Sequence, residues 1–228
     1  MVTAHPDDVD FTAAGTVAAW TAAGVSVSYC ICTDGDAGGF DRELPRAEMA
    51  GIRRTEQTEA AKVLGVTDLH WLAFPDGALE ANLDLRRAIS RVIRTVRPQR
   101  VLCESPERSW QSVYASHPDH LAAGEATLCA VYPDARNPFA FPELLADGLE
   151  PHAVAEVWIM GPGESDRVVD VTDHLERKLE ALRCHVSQET DRDGHLEERM
   201  RAWMGSNASA GGLAADRLAE SFRYFATA

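Results

Sequence analysis

The sequence predicts an α/β chain: a Rossmann-like, mostly parallel sheet with helices on both faces and an active site at the C-terminal edge of the strands. Three observations carry this expectation. Short apolar runs at residues 1–4, 25–33, 69–74 and 101–103 alternate with longer stretches of helical periodicity. The tripeptide His-Pro-Asp occurs at residues 5–7 and again at 117–119, each time where a strand gives way to a helix. A chain of 228 residues, 45% hydrophobic and 25% charged, is ordinary for a globular protein and long enough to bury its own core. No repeat, low-complexity tract or linker divides it, so residues 1–228 are expected to form a single domain.

Residues 1–4 read as the end of a short first strand, and 9–23 as a helix with Phe11, Ala14, Val17, Ala18 and Trp20 on its apolar face. Residues 25–33 alternate apolar and small side chains, as a second strand would. Asp34-Gly35-Asp36-Ala37-Gly38-Gly39 then breaks the pattern and predicts a substrate-covering loop at the same sheet edge. It lacks the spacing of a phosphate cradle, and its acids would repel phosphate. Residues 45–64 form a long helix with Pro45 near its first turn, and Arg53 and Glu56 share a face. Residues 69–74 give a third strand, with Asp76 just beyond it. Asp76 is either a turn former before Gly77 or an acceptor for sugar hydroxyls. An amphipathic helix over 83–96 stops before Pro98.

The fourth strand, 101–103, leads through a polar loop over 104–116 to a helix over 121–131. Trp110 and Tyr114 in that loop could stack on a sugar face or line an acyl pocket. Residues 132–152, rich in Pro, Asp and Phe, read as an irregular connection. Two strands follow at 153–160 and 167–171, joined as a hairpin over Gly161-Pro162-Gly163. Thr172 or Asp173 would cap a helix running to Cys184. A Gly/Ser/Ala-rich stretch from 205 to 212 precedes a final helix.

With 36 acidic and 22 basic residues, the net charge is −14 and no basic stripe is visible. This argues against nucleic acid or an anionic membrane surface as the main partner. The five cysteines are odd in number and form no C-x-x-C pair, which suits a reducing, cytoplasmic setting. No signal peptide or membrane span is read.

In the first loop, His5 and Asp8 offer an imidazole and a carboxylate that can converge. Such ligands suit zinc, and three protein ligands plus water is the catalytic arrangement. Asp7, between them, could face the water rather than the metal. His117 and His120 occupy the equivalent crossing after the fourth strand, where Pro118 biases His117 towards extended geometry.

The pair Ala4-His5-Pro6-Asp7-Asp8 and His117-Pro118-Asp119-His120 resembles the LmbE-like, or PIG-L, zinc-dependent de-N-acetylases. Members act on GlcNAc-phosphatidylinositol and on the mycothiol and bacillithiol precursors. Arg53-Arg54-Thr55-Glu56, Phe74-Pro75-Asp76-Gly77 and Lys178 through His185-Val186-Ser187-Gln188 resemble further motifs of the family. The resemblance covers most of residues 1–190. It implies that His5, Asp8 and His120 hold one Zn²⁺, with Fe²⁺ or another divalent ion as alternatives. It further implies Asp7 as general base and His117 as oxyanion stabiliser or proton donor, with Asp119 orienting His117 by hydrogen bond. Arg53 and Asp76 would bind substrate. The implied reaction frees acetate from a small N-acetylated glycoside or sugar conjugate, in a chain that could form a homo-oligomer. A metal-dependent amidase or other hydrolase acting on another conjugate, and a metal-binding protein without catalysis, stay open as alternatives.

Overall fold

The computed structural model describes residues 1–110, 113, 116–161, 164–188 and 190–227; Tyr114 and the Pro162-Gly163 turn lie outside them. The elements in chain order are β1 (Val2–Thr3), α1 (Asp8–Ala22), β2 (Ser28–Thr33), α2 (Arg46–Val63), β3 (Asp68–Phe74), α3 (Leu83–Val96), β4 (Arg100–Glu104), α4 (Pro118–Cys129), α5 (Pro142–Ala146), β5 (Glu156–Met160), β6 (Arg167–Asp170), α6 (Leu175–Arg183), α7 (Leu196–Ala210) and β7 (Ala219–Ala226). One seven-stranded sheet has the order β3-β2-β1-β4-β5-β7-β6. β1 to β5 are parallel neighbours, and β7 pairs antiparallel with both β5 and β6.

Alternation along the strands feeds two cores, one on each face. Cys30, Cys32, Val101 and Cys103 pack against Leu85, Ile89 and Ile93 of α3 and Ala123 and Ala126 of α4. Tyr29, Ile31 and Leu102 point the other way, onto Val9, Ala13 and Val17 of α1 and Ala60 and Ala61 of α2. Burial of both faces is what a parallel sheet requires. It explains why three of the cysteines behave as small core hydrophobes.

The C-terminal part departs from expectation. The two strands after residue 153 do not form a hairpin, because β7 lies between them. The last element is therefore a strand, not a helix. Ala219-Glu220-Ser221-Phe222-Arg223-Tyr224 carries a period-two pattern that puts Phe222 into the core beside Trp158. The Gly/Ser/Ala-rich stretch continues α7 as far as Ala210, and the helix ends at Gly211-Gly212, with Gly212 at φ +74°. Neither Thr172 nor Asp173 caps α6. A single 3₁₀ turn, Thr172–His174, leads into it with no side-chain cap, and the Thr172 hydroxyl donates to Asp170 instead.

The irregular connection after α4 is organised by one side chain. Arg94, on α3 and 2% exposed, donates to the carbonyls of Asp134, Ala135, Asn137, Ala140 and Leu149. Arg94→Met strands those acceptors, so it is expected to lower stability by about 3 kcal/mol, read from urea midpoints. An unchanged midpoint would show that water serves these carbonyls equally well.

Candidate metal centre and active site

The strand order reverses at β1, and β1 and β4 lie side by side there, with Val2 in register with Cys103. Open α/β sheets bind ligands in the crevice beyond such a switch point. Both histidine motifs leave the sheet at this place. The Ala4 N–H donates to Glu104 Oε2 at 3.0 Å, and the Thr33 hydroxyl donates to the Ala4 carbonyl at 2.9 Å. These bonds pin the first turn between its neighbouring strands. Gly124 lets α4 sit flush on the other loop: a Cβ there would meet the Glu104 carbonyl at 2.5 Å.

Three donors converge across the crevice. His5 Nδ1 lies 3.2 Å from His120 Nε2, His120 Nε2 lies 3.1 Å from Asp8 Oδ1, and Asp8 Oδ2 lies 3.5 Å from His5 Nδ1. Tetrahedral ligands about 2.0–2.2 Å from a zinc-sized ion sit about 3.3–3.5 Å from one another, so the triangle fits a divalent cation. Glu104 Oε1 is buried and lies 3.4 Å from His120 Nε2. Burial opposes ionisation of Asp8, yet His120 and His5 outweigh it and hold the carboxyl well below its usual range. Burial also drives the Glu104 carboxyl well up, reinforced by the Asp8 charge beside it.

His5 is held from behind. Its Nε2 lies 3.2 Å from Asp119 Oδ2 and 3.1 Å from Asp76 Oδ1. A carboxylate behind a ligating histidine fixes its tautomer and ring angle. Burial works against a charged His5 ring, but Asp119, Asp76 and Asp8 together raise its pKa well above the ordinary range. The same surplus of negative charge favours a cation.

Asp119 therefore acts differently from expectation. Its carboxylate does not hold His117; it accepts from the Gly77 N–H at 2.7 Å and the Leu79 N–H at 3.2 Å and faces His5. His117 is the N-cap of α4, so the Asp119 backbone N–H, two residues on, donates to His117 Nδ1 at 3.2 Å. That bond places the proton of the neutral ring on Nε2. Burial and the neighbouring His5 push the His117 pKa down, which favours the neutral ring. Asp119→Asn weakens the support behind His5, and cation affinity should fall about 10–100-fold in a chelator competition. Unaltered affinity would remove Asp119 from this role.

Asp7 stands beside the triangle, outside it. Arg53 Nη2 lies 3.1 Å from Asp7 Oδ2 and also donates to the Pro6 carbonyl. Burial pushes the Asp7 carboxyl up to about 6, although Arg53 pulls it down. Arg53 is 3% exposed and lies behind Asp7 rather than along an open wall. The 34–39 loop packs on it so closely that a Cβ on Gly38 would overlap its Nη1. Asp76 joins the site to this loop. Its Oδ2 accepts from the Ala37 N–H at 3.2 Å, and Asp36 accepts from the Asp76 N–H at 3.1 Å. Arg46 closes the clasp through Asp36 and the Asp76 carbonyl.

Sequence reasoning missed Glu104, Gln57 and Asp10. The sequence pattern puts Glu104 at the start of a polar loop, whereas it is the last residue of β4. Gln57 lies one helical turn beyond Arg53, on the same face of α2. That spacing is the signal for Gln57, and an acid directly after the apolar run Val101-Leu102-Cys103 is the signal for Glu104; nothing in the sequence marks Asp10.

A histidine-histidine-carboxylate triangle, with a further carboxylate and a third histidine beside it, is an arrangement that metal-dependent hydrolases use. The family described as GlcNAc-PI de-N-acetylase, PIG-L, matches residues 1–131. The chain belongs to this LmbE-like family. It is 37% identical over 184 residues to the diacetylchitobiose deacetylase of Thermococcus kodakarensis, covering 81% of this chain and 67% of that protein. It is 32% identical over 195 residues to a probable N-acetyl-α-D-glucosaminyl L-malate deacetylase 2 of Bacillus anthracis, covering 82% and 80% respectively. The structure of N,N′-diacetylchitobiose deacetylase from Pyrococcus horikoshii, with its inhibitor MPG, superposes with a TM-score of 0.89 at 30% identity, over 98% of this chain and 82% of that one. These relatives are deacetylases, hydrolases of an N-acetyl amide bond. Among the described residues, no helix is long and apolar enough to cross a membrane.

Proposed function

We propose that this chain is a zinc-dependent N-deacetylase acting on a small N-acetylated amino sugar or N-acetylglucosaminyl conjugate. The observation that carries the reading is the donor triangle of His5, Asp8 and His120 with Asp7 beside it and outside it. His5, Asp8 and His120 would hold a divalent cation, which when bound would supply Lewis acidity and lower the pKa of a nearby water. Asp7 accepts a proton from the water that adds to the acetamide carbonyl, and Arg53 keeps the Asp7 carboxylate turned towards it. Neutral His117 donates from Nε2 to the oxygen on which charge develops. Asp7 then returns its proton to the leaving nitrogen, giving acetate and a free amine. Asp76 and the clasped 34–39 loop form the substrate side. The free cysteines suit a cytoplasmic setting.

The named activities of the relatives support an amino-sugar substrate. The test is a screen of N-acetylglucosamine, N,N′-diacetylchitobiose and N-acetylglucosaminyl conjugates, reading acetate release with and without a chelator. Release from at least one of these, abolished by the chelator and restored by zinc, is expected. Release that ignores the chelator, or none from any sugar, would overturn the proposal.

A further inference from the structure

We infer that Gln57, backed by Asp10 and His185, is a positioning residue that sets the turn at Asp7 and so aims its carboxylate. This rests on the reading of Asp7 as the proton acceptor. Asp7 has φ 90° and ψ −23°, in the left-handed region that is uncommon for a non-glycine residue, although Asp enters it more readily than most, and here its surroundings hold it there. Glycine would relieve the turn but would remove the carboxylate.

The surroundings that impose it are a buried chain of hydrogen bonds. The Asp7 N–H donates to Gln57 Oε1 at 2.7 Å, Gln57 Nε2 donates to Asp10 Oδ2 at 2.8 Å, and His185 Nε2 reaches the same oxygen at 2.9 Å. Gln57 is 1% exposed, and Asp10 and His185 are fully buried. The amide cannot be turned over, because a flip would set donor against donor and acceptor against acceptor. The chain ties together α1, α2 and the segment just after α6. Helix α2 thus grips Asp7 twice, through Arg53 on its carboxylate and through Gln57, four residues on, on its backbone. Glu56 fixes the same region by accepting from the Ser187 N–H and hydroxyl at 2.6 and 2.7 Å. None of these hydrogen bonds is made to a His5, Asp8 or His120 side chain, so cation content is measured beside turnover to tell an effect at Asp7 from one on the neighbouring ligands.

The test is a double-mutant cycle on Gln57→Met and Asp7→Asn, using the most rapidly hydrolysed N-acetylated sugar of the screen. Q57M should lower kcat about 10²-fold, the scale of a small misplacement of a reacting group, with KM little changed and cation content equal to that of the parent. In the D7N background, Q57M should cost nothing further, because Gln57 acts only through Asp7. A crystal structure of Q57M should show Asp7 leaving the left-handed region. A second full loss in the double variant, loss of the cation in Q57M, or an undiminished kcat would each overturn the inference. If Q57M does not fold, the pair His185→Leu and His185→Gln decides: the glutamine keeps a donor to Asp10 and should recover most of the kcat that the leucine loses, and equal losses would count against the chain. If D7N itself retains turnover, the reading of Asp7 fails instead, so the two failures are distinguishable.

Discussion

Asp7→Asn leaves the cation in place and lowers turnover by about 10²–10⁴-fold, the contribution of a positioned proton acceptor. The expectation follows from which atoms meet. Asp7 faces Arg53, whereas the donor triangle is closed by Asp8 and two imidazoles. Asparagine keeps the size of the side chain and loses its basicity. The parent should also show an acid limb. A carboxyl pushed up to about 6 by burial accepts a proton only while ionised, so activity is present above that pH and falls as pH drops through it. A bound cation stabilises the ionised form and moves the limb lower. D7N should lose this limb and keep a small, pH-insensitive rate. Elemental analysis beside acetate release checks both parts. Cation lost together with activity would make Asp7 a ligand, and the assigned roles would exchange.

What could be read in advance was whatever the chain repeats or alternates. Two His-Pro-Asp turns after apolar runs place donors at one sheet edge, and the strand order brings those edges together. Partners chosen by three-dimensional packing were not legible. Asp119 sits one residue from His120, and nothing in that spacing says that its carboxylate turns to the Gly77 and Leu79 amides rather than to His117. Glu104 looks like a loop acid until β1 and β4 lie side by side and its carboxylate takes the Ala4 N–H. The last strand was hidden for a related reason. Its residues pair with β5 and β6, both distant in sequence, and long-range pairing overrides local pattern in a strand of mixed polarity.

The same last strand carries the largest stability prediction. Lys178→Met should cost about 3–5 kcal/mol, because it leaves a buried carboxylate without its counter-ion. Lys178 is fully buried, Glu220 is 2% exposed, and Nζ lies 2.7 Å from Oε1. Neither group is idle on its other side. Glu220 accepts from the Gly15 and Thr16 N–H groups at 3.0 and 2.7 Å, and Lys178 donates to the Phe11 carbonyl at 2.5 Å. Phe11 and Gly15 are one helical turn apart, so the pair clamps the middle of α1 between α6 and β7. Gly15 also lets α1 pack onto the residue that follows β6: a Cβ there would lie 2.8 Å from Val171 Cβ. The clamp matters to the site because α1 begins at Asp8 and its first turn carries Asp10. K178M therefore should lower the urea midpoint and weaken cation retention as α1 loosens. The double variant K178M/E220Q should recover part of the loss, since it buries no unpaired charge. A double variant no more stable than K178M alone would mean that the Lys178 contact with the Phe11 carbonyl, rather than the ion pair, holds the helix.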